Sequence, residues 1–478
     1  MSSVPVFQTL LASMERRGSR VAIDDGRDAL SYAQVVSRVG ERRAELDRAG
    51  LSVGDRVSVA IRHHTTDVVN LLAVLLAGAV AVPCDSSWPE LRQNQVERDA
   101  GVRFRIDENA VVPLGATNVR VIGAVSPELA LLIYTSGSTA EPRGVMVTST
   151  QVEFCMQRID ERLGYRSADR VGSPIRLSFD YGLYQILLAF SAGATLVLCD
   201  ATDPFGWLQR SVATTSPSVL VLTPSVARAA LVKWSSSCAD NDVRLITFTG
   251  ESVDEQLLRR VVRAFPRVKI VLMYGVTECK RVSISEPDEW HTDPTAVGRP
   301  LRGTEVVVRD SERNSLDTGQ VGELYVHGPH LASGYWNDPG LTLRKFPLIS
   351  GRRELATEDL GYIDTSGAIH VLGRIGDTYK ERGQRTSTQE IEMAALKVGG
   401  VKGAVCIPPR TGAPSTLVAA TSSELDRHAL VKSLTLLIGP ERIPRRIFTV
   451  DALPLTVNGK PDRTRLRLMA SQEEGFAW

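Results

Sequence analysis

The chain has little that would tie it to a membrane, to nucleic acid or to an oxidising compartment. Its longest apolar stretch, Val68 to Val82, includes Asn70 and falls short of the roughly 18 residues of a membrane-spanning helix. It reads instead as a buried helix running into a strand. The opening segment, MSSVPVFQTLLASMERRG, lacks the basic-then-apolar order of a secretory leader and sets Phe7, Leu10, Leu11 and Met14 at helical spacing. A cytoplasmic location is the resulting expectation. A net charge of +1 over 478 residues, with no Lys/Arg-rich run, argues against an electrostatic nucleic-acid binder. The six cysteines (Cys84, Cys155, Cys199, Cys238, Cys279 and Cys406) form no C-x-x-C pair, so neither a zinc site nor a disulfide framework is expected. His327 and His330 have Gly328 and Pro329 between them, which disfavours a helical metal pair. There is no internal repeat or low-complexity tract.

What is present is material for about three domain-equivalents of soluble, 43% hydrophobic chain. Short β-branched runs recur between helical patterns: Ala194 to Leu198, Ser218 to Leu222, Val243 to Phe248 and Val268 to Met273. That alternation predicts α/β layers with buried, largely parallel strands and chemistry at the strand ends. Glu323 to Val326 and Ile369 to Leu372 read as strands of a later β-rich section. A polar, glycine-containing segment, Gly373 to Glu381, suggests a boundary, with about 100 residues beyond it, enough for a small domain.

One segment stands apart. Tyr134 to Val145, YTSGSTAEPRGV, follows an apolar strand pattern at Leu129 to Ile133. Its hydroxyls at Thr135, Ser136, Ser138 and Thr139, with the backbone freedom of Gly137 and Gly144, suit a polyphosphate. It has no lysine, so the G-x-x-x-x-G-K-[ST] loop is excluded. Later, Gly250 and Glu251 precede a strand that runs into Tyr274, Gly275, Val276, Thr277 and Glu278. An aromatic beside a glycine at a strand end can stack on a nucleobase, and a nearby carboxylate can hold a phosphate-bridging Mg²⁺. Asp359 and Arg374 follow in loops, and Lys460 stands in PLTVNGKPDR.

In this order, YTSGSTAEPRGV, FTGES, YGVTE, ATEDLGY and NGKPDR resemble the motifs of the adenylate-forming superfamily: acyl-CoA synthetases, luciferases and adenylation domains of non-ribosomal peptide synthetases. LSYAQV (residues 30–35) and LAGAVAVPCD (residues 76–85) are similar to two of its structural motifs. The resemblance covers nearly the whole chain. It implies a large multi-layer α/β N-terminal domain (residues 1–374) and a small mobile α+β C-terminal lid (375–478). It implies ATP held by Thr135, Ser136, Gly137, Ser138, Thr139, Arg143, Gly250, Glu251, Tyr274, Gly275, Thr277, Asp359 and Arg374, and Mg²⁺ on Glu278 and Thr139. Lys460 becomes the adenylation lysine, catalytic together with Glu278 and Thr139, and Arg385 a residue near the phosphate or thiol channel. Four positions depart from the family pattern: Ala140 and Glu358 replace glycines, Arg143 replaces lysine, and Gly376 stands at the usual hinge aspartate, followed by Asp377 and Lys380.

LSFDYGL (residues 177–183) aligns with the motif whose aspartate, here Asp180, pairs with a substrate amine in amino-acid-activating members. By the same alignment the acid pocket is lined by Tyr181, Tyr184, Ser225, Thr247, Thr249, Met273, Arg281 and Val282. An arginine there implies a carboxylate, carbonyl or phosphate to receive it, unless it turns outward or pairs internally. The expected reaction is AMP-forming activation of a small carboxylic acid, an amino or β-amino acid, followed by transfer to a thiol of CoA or of a carrier-protein phosphopantetheine. A nitrogen nucleophile is the alternative acceptor. With Lys460 close to Trp478, a carrier is expected to act in trans.

Overall fold

The computed structural model describes residues 5–108, 110–114, 126–136, 142–198, 206, 216–233, 242–382, 384–409, 413–421, 425–456, 460–472 and 476–477. Among them, nine strands form one sheet in the order Arg299–Pro300, Ser283–Ile284, Lys269–Tyr274, Leu245–Phe248, Val219–Leu222, Arg170–Ser173, Thr195–Leu198, Val21–Asp24 and Ala29–Ser31. The four strands expected from β-branched runs are all in it. From Lys269–Tyr274 across to Val21–Asp24 the neighbours pair in parallel, and such strands need covering on both faces, which is why they read as continuous apolar runs.

A second, seven-stranded sheet centres on Leu129–Ser136, Val80–Asp85 and Arg56–Ile61. The Val68-to-Val82 stretch folds as expected: helix Thr65–Leu76 runs into strand Val80–Asp85, every residue of which is buried. Helix Ser149–Leu163 starts where Thr148 and Gln151 make a reciprocal capping box and stops at Gly164, whose left-handed φ of 55° a side chain would resist. Glu305–Arg309, Gly322–His327, Leu355–Ile363 and Ile369–Arg374 form an antiparallel sheet, the β-rich section.

Beyond the hairpin Thr378–Glu381/Gln384–Ser387, strands Val401–Ile407, Thr416–Thr421, Arg446–Val450 and Phe476–Ala477 make a separate sheet. It has its own hydrophobic cluster, including Ile391, Leu417, Leu430, Leu434, Ile443 and Ile447. No described helix is long and apolar enough to cross a membrane.

Candidate functional site

Four parallel strands of the large sheet end on one side, and the chain beyond each brings polar groups to the same place. After Arg170–Ser173 comes helix Asp180–Ala192, after Val219–Leu222 comes Ser225, after Leu245–Phe248 come Thr249 to Glu251, and Lys269–Tyr274 ends in Tyr274 itself. Carboxyl ends of parallel strands are where an open α/β sheet leaves a ligand crevice.

On one flank, the buried Tyr274 hydroxyl donates to Asp359 Oδ2 at 2.7 Å, and Arg374 Nε donates to Asp359 Oδ1 at 3.2 Å. Asp359 and Arg374 face each other across the strand pair Leu355–Ile363/Ile369–Arg374. Burial raises the Asp359 carboxyl above its ordinary range, against the pull of Arg374 and Tyr274. Glu278 lines a pocket with Lys345, Thr357 and Arg374. Its Oε1 accepts from the Tyr335 hydroxyl, while Oε2 has no hydrogen bond among the described residues, leaving a carboxylate oxygen suited to a hard cation. At Gly275 a Cβ would lie 2.1 Å from the Lys280 carbonyl oxygen, so only glycine lets the following turn fold back this closely.

Glu358, which stands where the family has glycine, keeps a glycine-like backbone with φ of 63°. Its carboxylate is met by Lys345 Nζ at 2.7 Å and its N–H donates to Glu323 Oε1 at 2.9 Å. The extra negative charge is thus paired locally, and the cost is backbone strain of about 1–2 kcal/mol. Glu358→Gly should therefore raise the melting temperature slightly, the relieved strain outweighing an exposed ion pair worth about 0–1 kcal/mol, whereas Glu358→Val should lower it. A lower melting temperature for the glycine variant would contradict the strain argument.

On the other flank, Asp180, Tyr181 and Tyr184 project from the first turns of a helix buried on all sides, since residues four apart share a face. With Met273, Lys280 and Arg281 they line a pocket. Arg281 Nη1 donates to Thr249 Oγ1 at 2.6 Å, and its guanidinium carbon lies 5.2 Å from the Tyr181 ring centroid. The Tyr181 hydroxyl is 2.7 Å from Thr247 Oγ1. Thr247 and Thr249 therefore brace the pocket, and Ser225 donates to Glu251 Oε2 at 2.5 Å beside it. Val282 sits in the hydrophobic core, its N–H bonded to the Tyr274 carbonyl at 2.9 Å.

Between the flanks stands Lys460, delivered from the C-terminal region. Its Nζ is 5.2 Å from the Phe179 ring centroid, and a Cβ built at Gly250 would lie 3.1 Å from Lys460 Cε. Gly250, at φ of 89°, is the residue that admits this approach. Burial lowers the Lys460 ammonium from its ordinary value, opposed by the charges of Glu251 and then Asp180.

Of the remaining expected residues, Thr135 is opposite Arg143 and Ser136 opposite Pro142 in the strand pair Leu129–Ser136/Pro142–Thr148. Gly137, Ser138, Thr139 and Ala140 lie outside the described residues, as do the side chains of Lys380 and Arg385. Thr277 contributes its carbonyl, which accepts from Lys280 Nζ at 2.7 Å. Lys280 itself was not foreseen. It is buried, at φ of 61°, and Asp180 is the leading charge that counters the burial-driven lowering of its ammonium. The left-handed backbone turns it inward, and nothing in the sequence marks it.

His330 stacks on Phe154 with ring centroids 5.3 Å apart and both ring nitrogens lack hydrogen bonds among the described residues. Burial pushes its imidazole down to about 4. Because the unfolded ring titrates near 6.5, the folded state binds fewer protons between those values, and stability is lost as pH falls from about 6.5 toward 4, by at most about 1.4 kcal/mol per unit. His330→Phe should shrink the fall in melting temperature over that range. An unchanged fall would contradict the buried neutral assignment.

Layered α/β sheets with a polar cleft at parallel-strand ends, approached by a lysine from the C-terminal region, define an α/β enzyme scaffold. The model of the AMP-binding enzyme family matches residues 10–122 and 107–336. The chain belongs to that family, the adenylate-forming superfamily of AMP-forming ligases. It is 28% identical over 496 residues to tyrocidine synthase 3 of Brevibacillus parabrevis, covering 96% of this chain and 8% of that protein. It is 32% identical over 461 residues to phenyloxazoline synthase MbtB of Mycobacterium sp. (strain MCS), covering 91% of this chain and 39% of that protein. The fold matches the crystal structure of the anthranilate CoA ligase AuaEII in complex with anthranoyl-AMP, with a TM-score of 0.83, 20% identity and 97% of both chains covered. The chain spans under a tenth of the first curated relative and about two fifths of the second.

Proposed function

We propose that the protein activates a small amino or β-amino acid with ATP, forming an acyl-adenylate and pyrophosphate, and then passes the acyl group to a thiol. The observation that carries this reading is Lys460, held between Phe179 and Gly250 where the nucleotide flank and the acid pocket meet. An ammonium there can offset the charge that develops as the acid's carboxylate attacks the α-phosphorus. A carboxylate is a poor electrophile, and AMP is a far better leaving group than oxide, so activation must precede transfer.

In this reading Tyr274 packs against adenine, Asp359 and Arg374 address the ribose, and Thr135 to Thr139 with Arg143 receive phosphates. Gly250, Glu251, Gly275 and Thr277 line the nucleotide. Glu278, with its spare oxygen, and Thr139 would hold Mg²⁺, which neutralises phosphate charge. The acid's amine lies on Asp180. Residues 375–478 act as the lid that brings Lys460 in. The acceptor is the thiol of CoA or of a carrier protein. Incubation with ATP, the activated acid and either CoA or a phosphopantetheinylated carrier should give a product heavier by the acyl group. Transfer to amines alone would replace the thiol by a nitrogen acceptor.

A further inference from the structure

The acid pocket contains more positive charge than its own residues neutralise. Among the described residues Asp180 is its single lining carboxylate, and Lys280 and Arg281, both buried, line it too. Asp180 is the leading negative charge acting on Lys280, and the Lys280 ammonium is anchored on the Thr277 carbonyl at 2.7 Å. Arg281 has no carboxylate in ion-pair contact among the described residues. Its partners are the Thr249 hydroxyl and the face of Tyr181.

Two donors in this pocket are left over. Arg281 Nε and the Tyr184 hydroxyl are each fully buried without a hydrogen bond among the described residues. Tyr184 faces only the Cys155 thiol, a weak partner. Both side chains are more than nine-tenths buried. A buried guanidinium without a carboxylate is strongly unfavourable, and so is an idle buried hydroxyl. Neither would be retained at the wall of an apolar substrate's pocket without something to receive the donors.

We infer that the substrate carries a second anionic group, distal to the reacting carboxylate, which Arg281 and Tyr184 receive: the acid is an amino dicarboxylate rather than a neutral amino acid. This deepens the adenylation reading and rests on it. The amine meets Asp180, the distal carboxylate accepts from Arg281 Nε and Tyr184 Oη, and the reacting carboxylate faces Lys460. Lys280 holds the charge balance around Asp180, so the pocket's excess positive charge falls to the substrate.

The test is ATP–pyrophosphate exchange by the full chain with L-aspartate, L-glutamate and 3-aminoglutarate, each against its distal monoamide, together with L-alanine and β-alanine. At least one dicarboxylate should exceed its amide by 10-fold or more in kcat/KM. Arg281→Ala should collapse that ratio to within about 3-fold of unity, and Tyr184→Phe should lower it several-fold. The wild-type ratio is decisive whether or not the variants fold. Exchange with amides or neutral amino acids equal to or above the dicarboxylates overturns this inference and leaves adenylation standing. Exchange with none of these acids, but with acids lacking an amine or a second charge, does the same, whereas exchange with no acid at all overturns both.

Discussion

Lys460→Ala is expected to cut acid-dependent ATP–pyrophosphate exchange by about 100-fold or more, the loss typical when one preorganised charge or donor is removed from a developing negative centre. The fall should lie mainly in kcat, with the KM for ATP changing far less, because the ammonium acts where charge develops rather than on the bound ground state. Removal should not harm the fold. Lys460 is only partly buried, its contacts are a cation–π approach to Phe179 and the charges of Glu251 and Asp180, and its loss leaves no donor orphaned. Exchange within a few-fold of wild type would remove the lysine from the chemistry. A matching loss of melting temperature would mean that it is a strut between the C-terminal region and the rest.

Asp359→Ala is the second large expected effect, and it should read out differently. The carboxylate accepts from Tyr274 Oη at 2.7 Å and from Arg374 Nε at 3.2 Å. Its removal takes the carboxylate acceptor from a buried tyrosine hydroxyl, which keeps only the Thr357 hydroxyl beside it, a cost of about 1–3 kcal/mol, so the melting temperature should drop. It also takes away the acceptor assigned to the ribose, and the KM for ATP should rise by about 10- to 100-fold, as loss of a charged hydrogen-bonding group of about 1.5–3 kcal/mol implies. Asp359→Asn separates the two. The amide retains an oxygen for Tyr274 and should recover most of the stability, while ATP affinity stays impaired. An ATP KM unchanged in both variants would leave Asp359 a purely structural residue.

The strands were legible because burial on both faces writes itself as uninterrupted apolar runs: Val219–Leu222 and Leu245–Phe248 are buried at every position. Helix Asp180–Ala192 was less so, since its polar residues Asp180 and Gln185 are themselves buried and remove the amphipathic contrast that marks a surface helix. The cleft could be read motif by motif, yet what each side chain does to its neighbour could not. Ser225, Thr247 and Thr249 were expected as pocket lining, and the sequence did not show that they hydrogen-bond Glu251, Tyr181 and Arg281. Glu358 stands where the family has glycine, and the sequence does not show what meets its charge. Its partner Lys345 reaches it from the end of helix Pro339–Lys345, a pairing that depends on tertiary approach and leaves no periodic trace.

Lys280 illustrates the same limit at the site itself. In sequence it is one cation in TECKR, indistinguishable from a solvated charge. Its inward direction follows from φ of 61° and from the close fold of its carbonyl over Gly275, a strained backbone of the kind that gathers at functional sites. The glycine was visible in the motif, and the consequence for the residue five places later was not.

The central claim is activation of an acid through its adenylate, and the most direct measurement is mass-spectrometric detection of the enzyme-bound product formed from ATP, Mg²⁺ and the acid in the absence of any acceptor. The account predicts an acyl-AMP in roughly stoichiometric amount with the protein, together with released pyrophosphate, and its disappearance in Lys460→Ala. Formation of ADP and phosphate, or AMP without an acyl group attached, would contradict it.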